Sequence, residues 1–222
     1  MKTQPASIAP QWFSPVFWRW LGFNVLGFSV ATVLCFSLRF SEQNIEMLFL
    51  SGLIIGVVTG LAQVKALKYK FPKIRYWQWL LANIVGGYAG IWLAIFATTS
   101  FGIFTVSFVI GFLLWGAIIG GCVGLAETVV LSRHSTGSLV WIPASLIGRA
   151  IAWLGGYFVL VSLFSQELST LSSTILPVKF SLIAGISGSI LYGVITGLAL
   201  RQIHATSQPL TVATSGTITD SL

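Results

Sequence analysis

Three stretches of the chain carry small residues at every fourth position, and this repeat constrains the fold more than any other feature. They begin at Gly52, Gly116 and Ser189, and they read GLIIGVVTGLAQ, GAIIGGCVGLAE and SILYGVITGLAL. Residues four apart share one face of a helix, so each stretch predicts a helix with a stripe of small side chains. In a bilayer such stripes let helix backbones approach closely. The predicted packing positions are Gly52, Gly56, Gly60, Gly116, Gly120, Gly124, Gly193 and Gly197. A narrow pore, or helices that slide along the stripes, is the functional alternative.

A second motif precedes each stripe. Trp20 is followed by Asn24 and Gly27, and the same spacing recurs from Trp79 and from Trp141. The chain therefore consists of three copies of a two-helix unit, in which a tryptophan-led helix is followed by a glycine-striped helix. Because two membrane spans per unit keep every copy in the same orientation, we predict an all-α integral membrane protein. Its six transmembrane helices are expected to form three two-helix repeats with pseudo-threefold symmetry about the membrane normal.

Composition supports a membrane protein. Hydrophobic residues make up 55% of the 222 residues and charged residues only 8%, whereas soluble domains have roughly 25% charged residues. Several apolar runs approach the ~20 residues that span a bilayer. The predicted spans are about 20–38, 47–67, 77–97, 105–131, 140–163 and 180–200, within a membrane domain of 17–203. Residues 1–16 are predicted to be a cytoplasmic segment, and 204–222 a disordered cytoplasmic tail. The first span is expected to be retained and not cleaved as a signal peptide.

Basic residues give the orientation. With six spans, one side of the membrane holds both termini and the loops after the second and fourth spans. That side carries Lys2, Arg19, Lys65, Lys68, Lys70, Lys73, Arg75, Arg133 and Arg201, and the other side carries Arg39 and Lys179. By the positive-inside rule, both termini are cytoplasmic. The predicted location is a bacterial cytoplasmic or thylakoid membrane, and the net charge of +7 reflects these loops and not nucleic-acid binding.

Polar residues repeat at one level of the predicted bundle. Asn24, Asn83 and Ser145 each lie about one helical turn deeper than a tryptophan, and Gln63 and Glu127 approach the same level from the other direction. The tryptophans themselves are expected to anchor at the membrane interface. Arg149 is the basic residue deepest within a span, and we predict that it forms a buried salt bridge with Glu127. The candidate layer of Glu127, Arg149, Gln63, Asn24, Asn83 and Ser145 either binds an ion or a substrate, or locks the helices together.

Catalytic and metal-binding patterns are weak. His134 and His204 have no carboxylate or cysteine partners at metal spacing, and Cys35 and Cys122 fall in different predicted spans. Ser187 lies in a GxSG motif without an intramembrane histidine to activate it. We therefore expect no enzymatic activity and no metal site. No cofactor is implied, although a bound pigment or lipid stays open.

The segment Gly60–Gln63, followed by Leu67, Lys68 and the Trp77–Gln78–Trp79 run, resembles a group of bacterial multi-pass membrane proteins that are frequent in cyanobacteria. These proteins carry repeated GLxQxxxLR…WW units, and the resemblance covers most of residues 47–163. Glu127 and Leu200 stand where glutamine is typical. The resemblance implies a membrane protein without implying an activity. The sequence is typical of a helix-packing scaffold or accessory subunit with lipid and other membrane subunits as partners. The alternative is a small transporter or channel with a polar site near its cytoplasmic side.

Overall fold

The computed structural model describes residues 14–37, 45–170 and 178–206. The predicted N-terminal segment up to residue 13 and the predicted tail from residue 207 lie outside the described residues. The helices are α1 (Pro15–Ser37), α2 (Ile45–Leu67), α3 (Tyr76–Phe101), α4 (Ile103–Val106), α5 (Phe108–Ser132), α6 (Trp141–Thr170) and α7 (Val178–Gln202). A 3-10 turn (Ser138–Val140) precedes α6, and two short strands, β1 (Ser135–Thr136) and β2 (His204–Ala205), complete the fold.

The chain is an almost entirely helical integral membrane protein. Five helices, α1, α3, α5, α6 and α7, are long and apolar enough to cross a bilayer. The sixth long helix, α2, is apolar over Gly52–Leu67. At a rise of ~1.5 Å per residue, the 25 residues of α5 extend about 37 Å, which exceeds the ~30 Å hydrocarbon core of a typical membrane.

The six long helices form a closed ring. The order of neighbours is α1, α2, α3, α5, α6 and α7, and α7 packs against α1 again. We call the end of the ring that carries residues 68–75, 133–140 and 203–206 the proximal end, and the opposite end the distal end. The chain order and the spatial order therefore coincide, with the closure formed by the first and last helices.

The first helix begins before the predicted first span of about 20–38, because α1 starts at Pro15. Proline is tolerated in the first turn because its missing N–H would have no helical partner there. The hydroxyl of Ser14 accepts a hydrogen bond from the Phe17 backbone N–H at 3.3 Å, which caps the helix.

The connection between α3 and α5 lies later in the chain than predicted. Helix α3 extends past the predicted end at about residue 97 to Phe101, and α5 begins at Phe108, after the predicted start at about residue 105. The hydroxyls of Thr98 and Thr99 donate to the carbonyls of Ala94 and Ile95 at 2.8 and 3.1 Å. This bonding satisfies the threonine hydroxyls within the helix. The helix ends at Gly102, whose φ of +57° and N–H bond to the Thr98 carbonyl form a left-handed cap.

Glycines lie where the helices of the ring approach most closely. A Cβ added at Gly116 would lie 2.5 Å from the Arg149 carbonyl oxygen, and one at Gly120 would overlap the carbonyl of Ser145. In the same way Gly60 faces Asn83 in α3, and Gly197 faces Trp20 in α1. The glycine-striped helices thus each turn their small residues toward the next tryptophan-led helix, and α7 turns them toward α1.

Strand pairing fastens the proximal end. Thr136 pairs with His204 and Ser135 with Ala205 in an antiparallel register, and the Thr206 N–H donates to the His134 carbonyl at 3.1 Å. Residues 204–206, which the sequence assigned to a disordered tail, are therefore hydrogen-bonded to the loop between α5 and α6. The backbone hydrogen bonds with the α5–α6 loop account for this difference.

Candidate functional site

Three tryptophans meet inside the ring near its proximal end. Trp20, Trp79 and Trp141 have no exposed surface. The ring centroid of Trp141 lies 5.4 Å from that of Trp20 and 6.3 Å from that of Trp79, both edge to face. The prediction that these indoles anchor the protein by contact with lipid headgroups is wrong. They point inward because each indole N–H finds an acceptor on another helix.

Gln63 joins three helices of this layer. Its side-chain carbonyl accepts from the Trp79 indole N–H at 3.3 Å, and its amide donates to the Asn24 side-chain carbonyl at 2.9 Å. The Asn24 amide in turn donates to the Trp20 backbone carbonyl at 2.8 Å. Both Gln63 and Asn24 are fully buried. The structure thus brings together two of the predicted polar residues, and it adds the tryptophans as donors.

Glu127 joins α3, α5 and α6 in the way that Gln63 joins its three helices. Its carboxylate accepts from the Asn83 amide at 3.0 Å and from the Trp141 indole N–H at 2.6 Å. Asn83 also donates to the Trp79 backbone carbonyl at 3.1 Å. Hydrogen bonds to a charged group are worth about 1.5–3 kcal/mol each, so this buried carboxylate has partners for both of its oxygens.

The predicted salt bridge between Glu127 and Arg149 is absent. Both Glu127 oxygens bond to Asn83 and Trp141. Glu127 and Arg149 form no ion pair within 4.0 Å, although Arg149 lies close enough to attract Glu127 electrostatically. The Arg149 guanidinium carbon instead lies 4.9 Å from the centroid of the Tyr192 ring, and its Nε is buried without a hydrogen-bond partner. Arg149 is eight residues after Trp141, or about 12 Å along α6. Trp141 therefore reaches Glu127 at a level that Arg149 does not.

Ser145 is not hydrogen-bonded to the other described polar residues of the layer. It is fully buried, and its hydroxyl lies near Tyr192 without a hydrogen bond within 3.5 Å. A Cβ added at Gly124 would lie 2.8 Å from the Cβ of Ser145, so the two helices are in close contact here. The Trp20 indole N–H instead donates to the Thr196 hydroxyl at 2.9 Å. Thr196 lies one helical turn before Leu200. Leu200 stands where the other two stretches have Gln63 and Glu127, so the acceptor for the indole comes from Thr196.

A cavity of about 500 Å³ lies on the distal side of this layer. All six long helices contribute to its wall. The wall is formed by Phe28, Gly52, Ile55, Gly56, Thr59, Asn83, Gly87, Ile91, Phe112, Trp115, Ile119, Val123, Arg149, Ala152, Trp153, Gly156, Tyr157, Leu160, Ala184, Gly185, Gly188, Ser189 and Tyr192. Most of these residues are apolar, and the polar ones gather toward the proximal end.

One position of the repeated sequence motif contributes to the cavity wall in each of its three copies. Phe28, Gly87 and Arg149 each stand eight residues after a tryptophan, and all three line the wall. Phenylalanine narrows the cavity, glycine leaves space and arginine adds a charge. Among the described residues of the wall, Arg149 is the only charged one.

Most hydroxyl groups on the wall are already hydrogen-bonded. Thr59 donates to the Ile55 carbonyl at 2.6 Å and Ser189 to the Ile186 carbonyl at 2.8 Å. The Tyr192 hydroxyl is buried near Ser145 and Arg149 and makes no hydrogen bond within 3.5 Å. The sequence analysis missed Tyr192, although a phenol there stands where the other two stretches have Ile55 and Ile119. Arg149 and Tyr192 thus supply unused donors beside the cavity.

Two titratable groups outside the membrane helices lie at the proximal end. The Lys70 ammonium donates to the Leu200 carbonyl at 2.6 Å, and burial, followed by repulsion from Arg201, lowers its pKa. Burial also lowers the pKa of His134, with smaller contributions from the neighbouring cations Arg133, Lys73 and Arg75. Within the described ranges no group of three or more histidine, cysteine, aspartate or glutamate residues is placed to hold a metal.

No protein-family model, curated protein or solved structure matches the chain.

Proposed function

We propose that the chain is a non-enzymatic integral membrane protein that binds and carries a small membrane-soluble molecule. The observation that supports this proposal is the half-open cavity of about 500 Å³, which lies between six helices and is lined mainly by apolar side chains. Ligand sites in proteins typically measure ~300–1,000 Å³, with a few polar groups among apolar walls.

The scaffold or accessory-subunit role predicted from the sequence is the less supported proposal. Small-residue stripes attract other helices, but those of this chain are turned toward neighbours within the ring. Gly120 faces Ser145, Gly56 faces Ile84 and Gly193 faces Leu21. Glycines that already pack inside the protein are not available for another subunit.

We also propose six membrane spans, pseudo-threefold symmetry of the ring and a cytoplasmic proximal end. The 23-residue length of α2, the closed order of neighbours and the three inward tryptophans support the first two points. The excess of basic residues at the proximal end supports the third.

A cysteine probe at Thr136, which is exposed, is expected to label from the cytoplasm, as is one at Ser207. A probe at Ser172 should label from the opposite side, and labelling of Thr136 and Ser172 from one side would contradict this topology. Thr136 is preferable to Ser135, which is buried.

Two glycines offer a matched test of ligand binding. A side chain added at Gly87 or at Gly22 would meet no atom within 4 Å at its Cβ, so both positions accept a large residue without an initial clash. Gly87 lines the cavity, whereas Gly22 is not part of its wall. Gly87→Phe fills the cavity, and Gly22→Phe is the control for adding the same ring to a membrane helix.

The test is to purify both variants and the native chain in mild detergent and to identify co-purifying small molecules by mass spectrometry. We expect a molecule that is retained by the native chain and by Gly22→Phe, and lost by Gly87→Phe. Equal small-molecule content in all three folded proteins would refute ligand binding in the cavity. Transport is then tested as flux of the identified molecule into proteoliposomes, which Gly87→Phe is expected to abolish.

A further inference from the structure

We infer that the ligand of the cavity is an amphiphilic anion, a single apolar chain that ends in a carboxylate or phosphate. Its headgroup would bind Arg149 and Tyr192, and its chain would lie along the aromatic wall. This inference rests on the proposed ligand-binding function and specifies the chemistry of the ligand.

Arg149 forms no ion pair within 4.0 Å among the described residues, and its Nε makes no hydrogen bond. A cation inside a membrane helix normally pairs with an acid or contacts water. The acid Glu127 attracts Arg149 electrostatically, but it is not part of the cavity wall, and both of its oxygens accept hydrogen bonds from other side chains. The guanidinium fork matches the two oxygens of a carboxylate or phosphate. An anionic headgroup in the cavity would therefore give Arg149 the directly bonded counter-charge that Glu127 does not.

Tyr192 adds a second donor at the same place. Its side chain is 1% exposed, and its hydroxyl lies near Ser145 and Arg149 without a hydrogen bond within 3.5 Å. The Arg149 guanidinium carbon lies 4.9 Å from the centre of the Tyr192 ring, a separation at which cation–π attraction orients the arginine. A buried hydroxyl without a close acceptor is unfavourable, and an incoming anion would accept from it. A cationic ligand would be repelled by Arg149, and a neutral one would form no ion pair with it.

The remaining wall fits a hydrocarbon chain. Phe112 stacks on Tyr157 with centroids 4.7 Å apart and on Trp153 at 6.4 Å. Trp115 contacts Trp153 edge to face at 5.7 Å. These rings form an apolar surface continuous with the glycines of α7. The site thus has one charged end and a long apolar body, the same division as an amphiphile.

The test measures binding of tritiated laurate to the purified full chain in phosphatidylcholine nanodiscs, with empty nanodiscs to subtract partitioning into lipid. Unlabelled competitors share the twelve-carbon chain and differ in the headgroup: dodecanol, dodecyltrimethylammonium and dodecyl phosphate. We expect saturable laurate binding, and dodecanol and the ammonium compound should each compete at least about tenfold more weakly than laurate. The relative strength of dodecyl phosphate distinguishes a carboxylate ligand from a phosphate ligand. Equal competition by laurate and dodecanol would overturn the inference.

Variants sharpen this test. Arg149→Gln should weaken laurate binding by about tenfold or more and leave dodecanol unchanged, and Tyr192→Phe should have a smaller effect in the same direction. Gly22→Phe is the control that should bind like the native chain. If Arg149→Gln does not fold, the headgroup series on the native chain still decides the question. Absence of saturable binding for all four compounds also overturns the inference. The ligand-binding function would nevertheless stand if Gly87→Phe alone loses a co-purified molecule.

Discussion

The proximal layer and the distal cavity occupy the same ring of helices but satisfy their polar groups in opposite ways. In the layer, the indoles of Trp20, Trp79 and Trp141 each donate to a side chain of another helix. At the cavity, the Nε of Arg149 and the hydroxyl of Tyr192 are buried without partners. Buried polar groups usually have hydrogen-bond partners. The layer therefore links neighbouring helices through bonded side chains, whereas two polar atoms beside the cavity make no hydrogen bond within 3.5 Å.

The largest expected effect is that of breaking the layer at Glu127. Glu127→Ala removes the acceptor of both Asn83 and Trp141, leaving two buried donors unpaired at about 1–3 kcal/mol each. We expect a total loss of roughly 2–6 kcal/mol, measured as a shift of thermal unfolding in detergent. Glu127→Gln, which retains one acceptor oxygen, should lose less. Equal stability of Glu127→Ala and the native chain would show that these hydrogen bonds do not hold the ring together.

Packing density distinguishes the two regions at Gly120 and Gly87. Gly120→Ala places a methyl group against the Ser145 carbonyl, whereas Gly87→Ala meets no atom within 4 Å. Overpacking typically costs about 1–3 kcal/mol, and alanine in a helix interior gains about 0.5–1 kcal/mol over glycine. Thermal melts should therefore show Gly120→Ala destabilised, with Gly87→Ala neutral or more stable. The reverse order would mean that the contact at Gly120 relaxes freely.

The tryptophans of the layer should differ according to their acceptors. Trp141→Phe removes the donor of a 2.6 Å bond to the Glu127 carboxyl group, and Trp20→Phe removes the donor of a 2.9 Å bond to the Thr196 hydroxyl. A hydrogen bond to an ionised carboxylate is worth about 1.5–3 kcal/mol and one to a neutral group about 0.5–1.5 kcal/mol. The loss of ring area is the same in both variants. We expect Trp141→Phe to be the less stable by about 1 kcal/mol in chemical or thermal unfolding. A greater loss for Trp20→Phe would show that closure between α1 and α7 matters more than the charge.

The smallest expected effect is pH dependence at the proximal end. The pKa of His134 is lowered from its ordinary value near 6.5 by burial, so the unfolded state binds more protons as the pH falls through that value. Stability contributed by neutral His134 is therefore present above pH ~6.5 and lost below it. Unfolding measured from pH 7.5 to 5 should show a decline that His134→Gln reduces. An identical decline in the variant would assign the effect to another group.

The sequence predicted the helical membrane fold because apolar runs and small-residue stripes are local signals. It also predicted which polar residues lie at one level, since Asn24, Asn83, Gln63 and Glu127 have regular spacing. It did not predict the partners. Whether Glu127 in α5 bonds to Trp141 or to Arg149 in α6 depends on which of the two side chains lies at its level. The level can be read only from the relative positions of α5 and α6.

The cavity was beyond sequence reasoning for a related reason. Its wall combines single residues from six helices, and a residue such as Gly87 gives no local sign that the space beside it is open. Tyr192 offered a weak signal as a polar substitution among apolar equivalents. Arg149 was identified as unusual, but the sequence assigned it to the nearest acid and not to the cavity.

Ring closure between α1 and α7 also sets an order for biogenesis. The Trp20 indole N–H donates to Thr196, which is 176 positions later in the chain. A ribosome that has delivered only the first five long helices into the membrane has therefore produced an open arc, in which Trp20 lacks its acceptor and the cavity lacks the wall residues of α7. The binding site exists only after the last helix has been inserted, so a nascent chain arrested before that point has no cavity to fill.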